Sequence, residues 1–388
     1  DLTLSDNLSL TEANVSLQTG DADLTVEGDV KLAKGKLGSS SGTLLFRKGG
    51  TQSESFEFDL GSSILSLGAG YTKSGGNLLS SSATLDLLVD LAITSDSALS
   101  FNQLNLNDFT FILGSSTSDL TVVDNITIDS SGEGISTGDA DLILNESQTI
   151  SGQGSITSTG GIISLQEGGR LLENGILDVS GSIWTLGDNF TKTSGILTML
   201  QTTLKLEDNS TLTSDEALNF VNLNLNDYAL TLGSSTSDLT VQNAITIDNS
   251  TEGISTGEAD LISLAPLNIS NGGVTSTGGI VSLSGGGQLS GTGILDVSGS
   301  STVGTEGWVL GGDFVKSSGT LTISQTDLKL DKDLTLTSDE ALSFVNLNLN
   351  HKTLTLGSAT SDLTVINPLT ISTTTEGIST GGADLILN

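Results

Sequence analysis

The 388-residue sequence has no cysteine, two prolines, one histidine and an aromatic content of only 4%. Without cysteine there is no disulfide framework, no thiolate nucleophile and no sulfur-ligated metal. A single imidazole, His351, would leave Ser-His catalysis resting on one residue and deprives a zinc site of its usual ligands. Cationic residues are scarce too: 13 Lys and Arg stand against 46 Asp and Glu, a net charge of −33. Such a surface repels phosphate and anionic lipid, so nucleic acid and membrane surfaces are not expected partners. Apolar runs are short; Leu87 to Ile93 is among the longest, far below the roughly 18 residues a membrane helix needs, and no membrane insertion is expected in this segment. The near-absence of proline suits a chain whose backbone N–H groups are engaged in sheet.

What is present is glycine, 48 residues of it, with Leu, Ile and Val in regular alternation with Thr, Asn and Ser. Hydrophobic residues make up 35% of the chain, enough for a core but with few large side chains, so a narrow one is implied. The alternation argues for a folded chain despite its acidity, because a disordered tract would lack it.

The sequence repeats. Gly20, Gly138, Gly257 and Gly381 all lie in [ST]-G-x-A-D-L, at spacings of 118, 119 and 124, and Lys73, Lys192 and Lys316 each follow an aromatic residue by two at 119 and 124. Copies of about 120 residues therefore cover residues 1–137 (the most divergent), 138–256 and 257–380, with 381–388 opening the next. The growth to 124 comes from six extra residues around Ser301 to Gly307. The chain opens within an alternating segment and closes partway through a copy, so it is expected to be one continuous solenoid cut from a longer array. Each copy also carries one strand motif: Phe101–Asp108 reads FNQLNLND, Phe220–Asp227 FVNLNLND and Phe344–His351 FVNLNLNH.

Within a copy a shorter rhythm runs. Apolar triplets with a polar centre begin at Leu223, Ile245 and Leu267, each 22 residues apart. Period-two alternation puts the outer pair on one face, which marks a half-buried strand, and Gly, Ser, Asn and Asp clusters supply the turns between. No segment has helical periodicity. Strands this short cannot bury much alone, so successive coils must stack. The expected fold is all-β: a right-handed parallel β-helix, or β-solenoid, of about 20–24 residues per coil, since parallel crossovers are overwhelmingly right-handed. At a strand spacing of about 4.8 Å the whole chain would make a rod of roughly 80 Å. A leucine-rich-repeat horseshoe is the alternative, weakened because nothing helical follows LNLNLND. Leu223 and Leu225 are expected to point inward, and Asn222, Asn224 and Asn226 outward or into a turn.

The stretch Ile163–Met199, ISLQEGGRLLENGILDVSGSIWTLGDNFTKTSGILTM, and its counterpart from Val281 to Ile323 resemble the coils of bacterial filamentous-haemagglutinin and autotransporter-type adhesins. The W-x-L-G-x-x-F-x-K-x-S-G tract also resembles tandem-repeat tracts of giant secreted bacterial surface proteins. The resemblance extends over the chain and is one of architecture. It implies a structural rod or stalk of an extracellular fibre or cell-surface adhesin, not an enzyme. The partners it implies are other copies, end to end or laterally, and surface polysaccharide or a neighbouring cell.

Site candidates are carboxylates first. Asp21 with Asp23, Asp139 with Asp141, and Glu258 with Asp260 form [DE]-A-D pairs whose spacing would set both acids on one strand face. Asp119, Asp238 and Asp362 in TSDL, and Asp96, Asp215 and Asp339 in TSD, add further registers. Calcium takes about six to eight oxygens, which turn carbonyls could complete, so Asp139, Asp141, Glu258 and Asp260 are the candidate ligands and calcium the one cofactor the pattern suggests. The calcium nonapeptide array is missing and Gly382 breaks the fourth pair, which favours solvated turn carboxylates. Asp108 and Asp227 stand where His351 does, so His351 is expected to be a turn residue. Leu65 occupies the position of Trp184 and Trp308, so these tryptophans are expected to pack rather than to stack on sugars. A polysaccharide-binding or polysaccharide-degrading β-helix is the alternative function; its most irregular stretch would be Lys31 to Glu57, whereas the recurring lysines suit a structural ion pair. An ice-binding solenoid is a further alternative, from outward Thr211, Thr335 and Thr353.

Overall fold

The computed structural model describes residues 1–298, 307–371 and 373–388. Most of the six-residue insertion expected at Ser301 to Gly307 lies outside the described residues. Among these the structure is all β, with 54 short strands and no helix. They pair in parallel and stack as a β-solenoid with about 21 residues per turn and about 18 turns in all, three strands to the turn. The chain forms two compact units, residues 1–202 and 203–388.

In the first unit the three sides of the coil can be followed strand by strand. One side stacks Leu2–Leu4, Leu24–Val26, Thr43–Phe46, Ile64–Leu67, Thr84–Leu87 and Gln103–Asn105. The second runs from Leu8–Leu10 through Tyr71–Lys73, Leu91–Ser95, Thr110–Leu113 and Gly134–Gly138 to Ile196–Thr198. The third begins Ser16–Gln18, Lys36–Gly38, Glu57–Asp59, Asn77–Leu79. The stretch Lys31 to Glu57 forms ordinary coils in register with their neighbours, with Leu24 on Leu44 and Leu44 on Leu65.

Alternation decides which side chains enter the core. Leu65, Leu85 and Leu104 sit one above another and are at most 2% exposed. Leu223 and Leu225 point inward while Asn224 and Asn226 are exposed. The core widens locally for aromatics: Trp184 is fully buried edge-on to Phe190 (centroids 5.0 Å apart), as Trp308 is to Phe314 (5.1 Å). Leu65 is buried at the equivalent point of the first copy. These are packing residues, as expected.

Coil length is uneven in a fixed way. Most neighbouring strands are 20–22 residues apart, but Leu85 to Leu104, Leu204 to Leu223 and Leu328 to Leu347 are 19. The coil that follows is 24, from Phe111 to Ile135, Leu230 to Ile254 and Leu354 to Ile378.

Candidate functional site

The repeated polar residues are found holding coils together. Each FxxLNLN strand ends in two consecutive residues with left-handed backbone: Asn107 and Asp108 (φ 52° and 66°), Asn226 and Asp227 (51° and 72°), Asn350 and His351 (48° and 64°). Apart from glycine, Asn, Asp and His are the side chains most often found in this region, so all three endings are compatible with the same tight corner. Over the corner reaches a glutamate from the next coil. Glu252 Oε1 accepts the Asp227 N–H (3.3 Å) and Glu376 Oε1 the His351 N–H (3.0 Å). The other oxygen of Glu252 accepts the N–H groups of Asp248 and Asn249, and Glu133 does the same for Asp129 and Ser130. These glutamates were not singled out in the sequence, although EGISTG recurs at Glu133, Glu252 and Glu376. His351 is an exposed turn residue with Nδ1 3.7 Å from Glu376.

The paired acids lie at a corner, not on a strand face. Asp139 and Asp141 fall between the strands Gly134–Gly138 and Leu142–Leu144, on either side of the fully buried Ala140, and Glu258 and Asp260 flank Ala259 likewise. The backbone must turn here, which two-residue alternation does not reveal. The TSDL acids are not a separate register: they sit one coil below the same corner. Asp119 Oδ1 accepts the Asp141 N–H (2.9 Å), and Asp141 Oδ1 accepts the Ile162 N–H (2.7 Å). Asp238, Asp260 and Ile280 repeat this at 2.8 and 2.7 Å, and Asp362 caps Asp384 at 2.8 Å. Asp139 accepts the Thr159 hydroxyl (3.3 Å), and Glu258 is exposed. Burial, together with the charge of Asp238, pushes the Asp260 carboxyl up, against the Ile280 N–H that favours its ionised form. Among the described residues no group of three or more His, Cys, Asp and Glu side chains is placed to hold a metal ion.

The recurrent lysines point into the core, each no more than 5% exposed. Lys73 bonds Asp96 and the Ser97 hydroxyl, and Lys316 bonds Asp339 and Glu340 (3.1 Å to the latter). Hydrogen bonding by Lys316 holds the Asp339 carboxyl below its ordinary range; the lysine itself is raised by its two acids, which outweigh the opposing effect of burial. On the strand of Lys73, burial pushes the Tyr71 phenol up while its hydroxyl donates to Gln52.

Of the outward threonines, Thr211 stacks in a column with Thr231, Ser255 and Thr275, and Thr335 with Thr355 and Ser379, whereas Thr353 pairs with Gly377. The column is one residue wide where it passes Gly233, whose missing side chain leaves room for Thr213: a Cβ there would lie 1.9 Å from its Oγ1.

Polar side chains also line a cleft of about 220 Å³ beside the FNQLNLND strand, among them Gln103, Asn105, Asn107, Asn125 and Glu133. Comparison with family models, curated proteins and solved structures found no match for the chain.

Proposed function

We propose that the chain is a structural segment of a bacterial extracellular fibre or cell-surface adhesin, a stalk that sets what it carries away from the cell. The observation that carries this reading is the use made of the recurring motif residues. Asp141 and Asp260 cap the next coil, Glu252 and Glu376 brace the Asn-Asp and Asn-His corners, and Lys73 and Lys316 bind carboxylates from the following coil. Copy after copy, the repeated chemistry serves coil-to-coil adhesion, which is what selection for length and cohesion would retain. In a solenoid each coil touches only its neighbours, so copies can be added without redesigning a core. The same logic makes other copies of the chain, end to end or side by side, its natural partners.

Immunogold electron microscopy of intact source cells with antibody to this chain tests the reading. Gold along extracellular fibres supports it. Gold confined to the cytoplasm, or cleavage of surface polysaccharide by the purified chain, would overturn it.

A further inference from the structure

We infer that each of the two units carries a built-in hinge, a waist where two of the three stacked sheets part and the third runs through. In the first unit the sheet that ends with Asn77–Leu79 makes no backbone pairing with Leu99–Phe101, the strand one turn on. A little further, the sheet that ends with Gln103–Asn105 makes none with Thr127–Ile128. The second side passes both levels unbroken through Tyr71–Lys73, Leu91–Ser95, Thr110–Leu113 and Gly134–Gly138. The second unit repeats the arrangement: among the described residues sheets end at Thr320–Thr322 and Leu347–Asn348, while Phe314–Lys316, Leu334–Thr337, Thr353–Leu356 and Gly377–Ser379 stay paired.

The cause is the uneven coil. The 19-residue step falls on a side whose sheet then ends, whereas the side that keeps its ladder takes steps of 22, 20 and 24 residues. Side chains reinforce the backbone bonds left at the edges of the partings, where the Asp124 N–H still donates to the Asn102 carbonyl (2.7 Å) and the Asn367 N–H to that of Val345 (2.9 Å). Ser80 Oγ donates to the Ser100 carbonyl (2.6 Å), Asn102 Nδ2 to Asp124 (2.7 Å), and Asn367 Nδ2 to Asn346 (2.9 Å). Two independent clefts open at these levels, one at Gln103–Asn107 and one of about 440 Å³ between Leu321–Gln325 and Glu340–Ser343. A ladder resists stretching along the stack, whereas a parting bridged by a few bonds at its edge can open and shut, so bending about the continuous sheet is the soft motion.

Equivalent sheet ends do not fall on the same side of the coil. Within the first unit the equivalent sheet ends, Asn77–Leu79 and Ile196–Thr198, are seventeen strands apart. Within the second, Asn222–Asn224 and Leu347–Asn348 are again seventeen apart among the described residues. At three strands to the turn, seventeen is one short of six turns. Equivalent sheet ends within one unit therefore lie on different sides of the coil.

The absence of cysteine makes site-directed spin labelling clean. Labels at Ile64→Cys and Thr149→Cys, both exposed, would span the broken side of the first waist over four turns, about 19 Å. Labels at Thr72→Cys and Thr157→Cys would span the same number of turns on the continuous side. A distance distribution at least twofold broader for the first pair is the expected result; equal widths would overturn the hinge. Amide exchange of the unlabelled chain provides a second measurement. Residues 103–105 and 127–128 are expected to exchange at least tenfold faster than 110–113 and 134–136, and equal protection across the four strands would count against the proposal.

Discussion

The only histidine of the chain earns its place by backbone conformation. Asn350 and His351 adopt the same left-handed pair as Asn107–Asp108 and Asn226–Asp227, and His is among the few non-glycine residues at home there. Replacing His351 with Asp or Asn is therefore expected to leave thermal stability within about 0.5 kcal/mol, whereas His351→Val, β-branched at a positive φ, should cost about 1–2 kcal/mol. Denaturant melts of the three variants distinguish this from an imidazole-specific role, in which Asp and Asn would be as damaging as Val. Charge acts at the same scale. Asp339 titrates below the usual carboxylate range because Lys316 binds its ionised form, so its contribution is complete above the unfolded-state value near 4 and fades as pH falls through the lower folded-state value. The melting-temperature gap between the parent chain and Asp339→Asn should thus be open at pH 7 and narrow as the pH is lowered below about 4. A gap that is constant over this range would mean that the pair contributes through shape and not through charge. That Lys73 and Lys316 would be ion-paired was legible from their recurrence; that Glu133, Glu252 and Glu376 brace turns was not, because a glutamate beside glycine reads as solvent-facing until the next coil is in place.

Strands were legible wherever alternation was clean. Leu223 and Leu225 point inward and Asn224 outward as their spacing demands, and the 22-residue recurrence of apolar triplets gave the coil length closely. Corners were less so. Alternation describes extended chain only, and Asp139 and Asp141 were placed on a strand face although Gly138, with φ of 58°, turns the chain just before them. The parting of sheets was invisible for a further reason: pairing depends on the difference in length between successive coils, a quantity that belongs to no single segment. The inward assignment can be tested at Leu225, 2% exposed. Leu225→Asp would bury an unpaired carboxylate, at a cost of about 3 kcal/mol or more. Because stability in a solenoid passes from neighbour to neighbour, the loss should show as an earlier melting phase and faster amide exchange in residues 204–247, with distant coils retaining protection. An unaltered melt would mean that the strand faces are assigned wrongly.

At the scale of the molecule the dominant quantity is a net charge of −33 carried on coils stacked about 4.8 Å apart. Stacking multiplies repulsion, since equivalent acids such as Asp119 and Asp141, or Asp238 and Asp260, recur one coil above another at the same corner. Each is tethered to a backbone N–H, but the tether does nothing for the field that the columns add together. Mobile counter-ions do. Raising ionic strength from about 0.01 M to 0.15 M shortens the screening length from about 30 Å to about 8 Å, so the melting temperature should climb over this range, steeply at first, and then level off. The same experiment separates screening from a bound metal at Asp139, Asp141, Glu258 and Asp260. Since one oxygen of Asp141 and of Asp260 already accepts a backbone N–H, calcium, magnesium and sodium chlorides at matched ionic strength are expected to give closely similar shifts between the two divalent salts. An added stabilisation by calcium over magnesium, lost in Asp141→Asn with Asp260→Asn, would show that the corner carboxylates gather an ion in addition to capping the next coil. Screening also governs association, because two such chains approach each other only when their fields are damped. If copies of the chain are its partners, light scattering should report assembly that rises with salt, and assembly that falls with salt would point instead to a cationic partner.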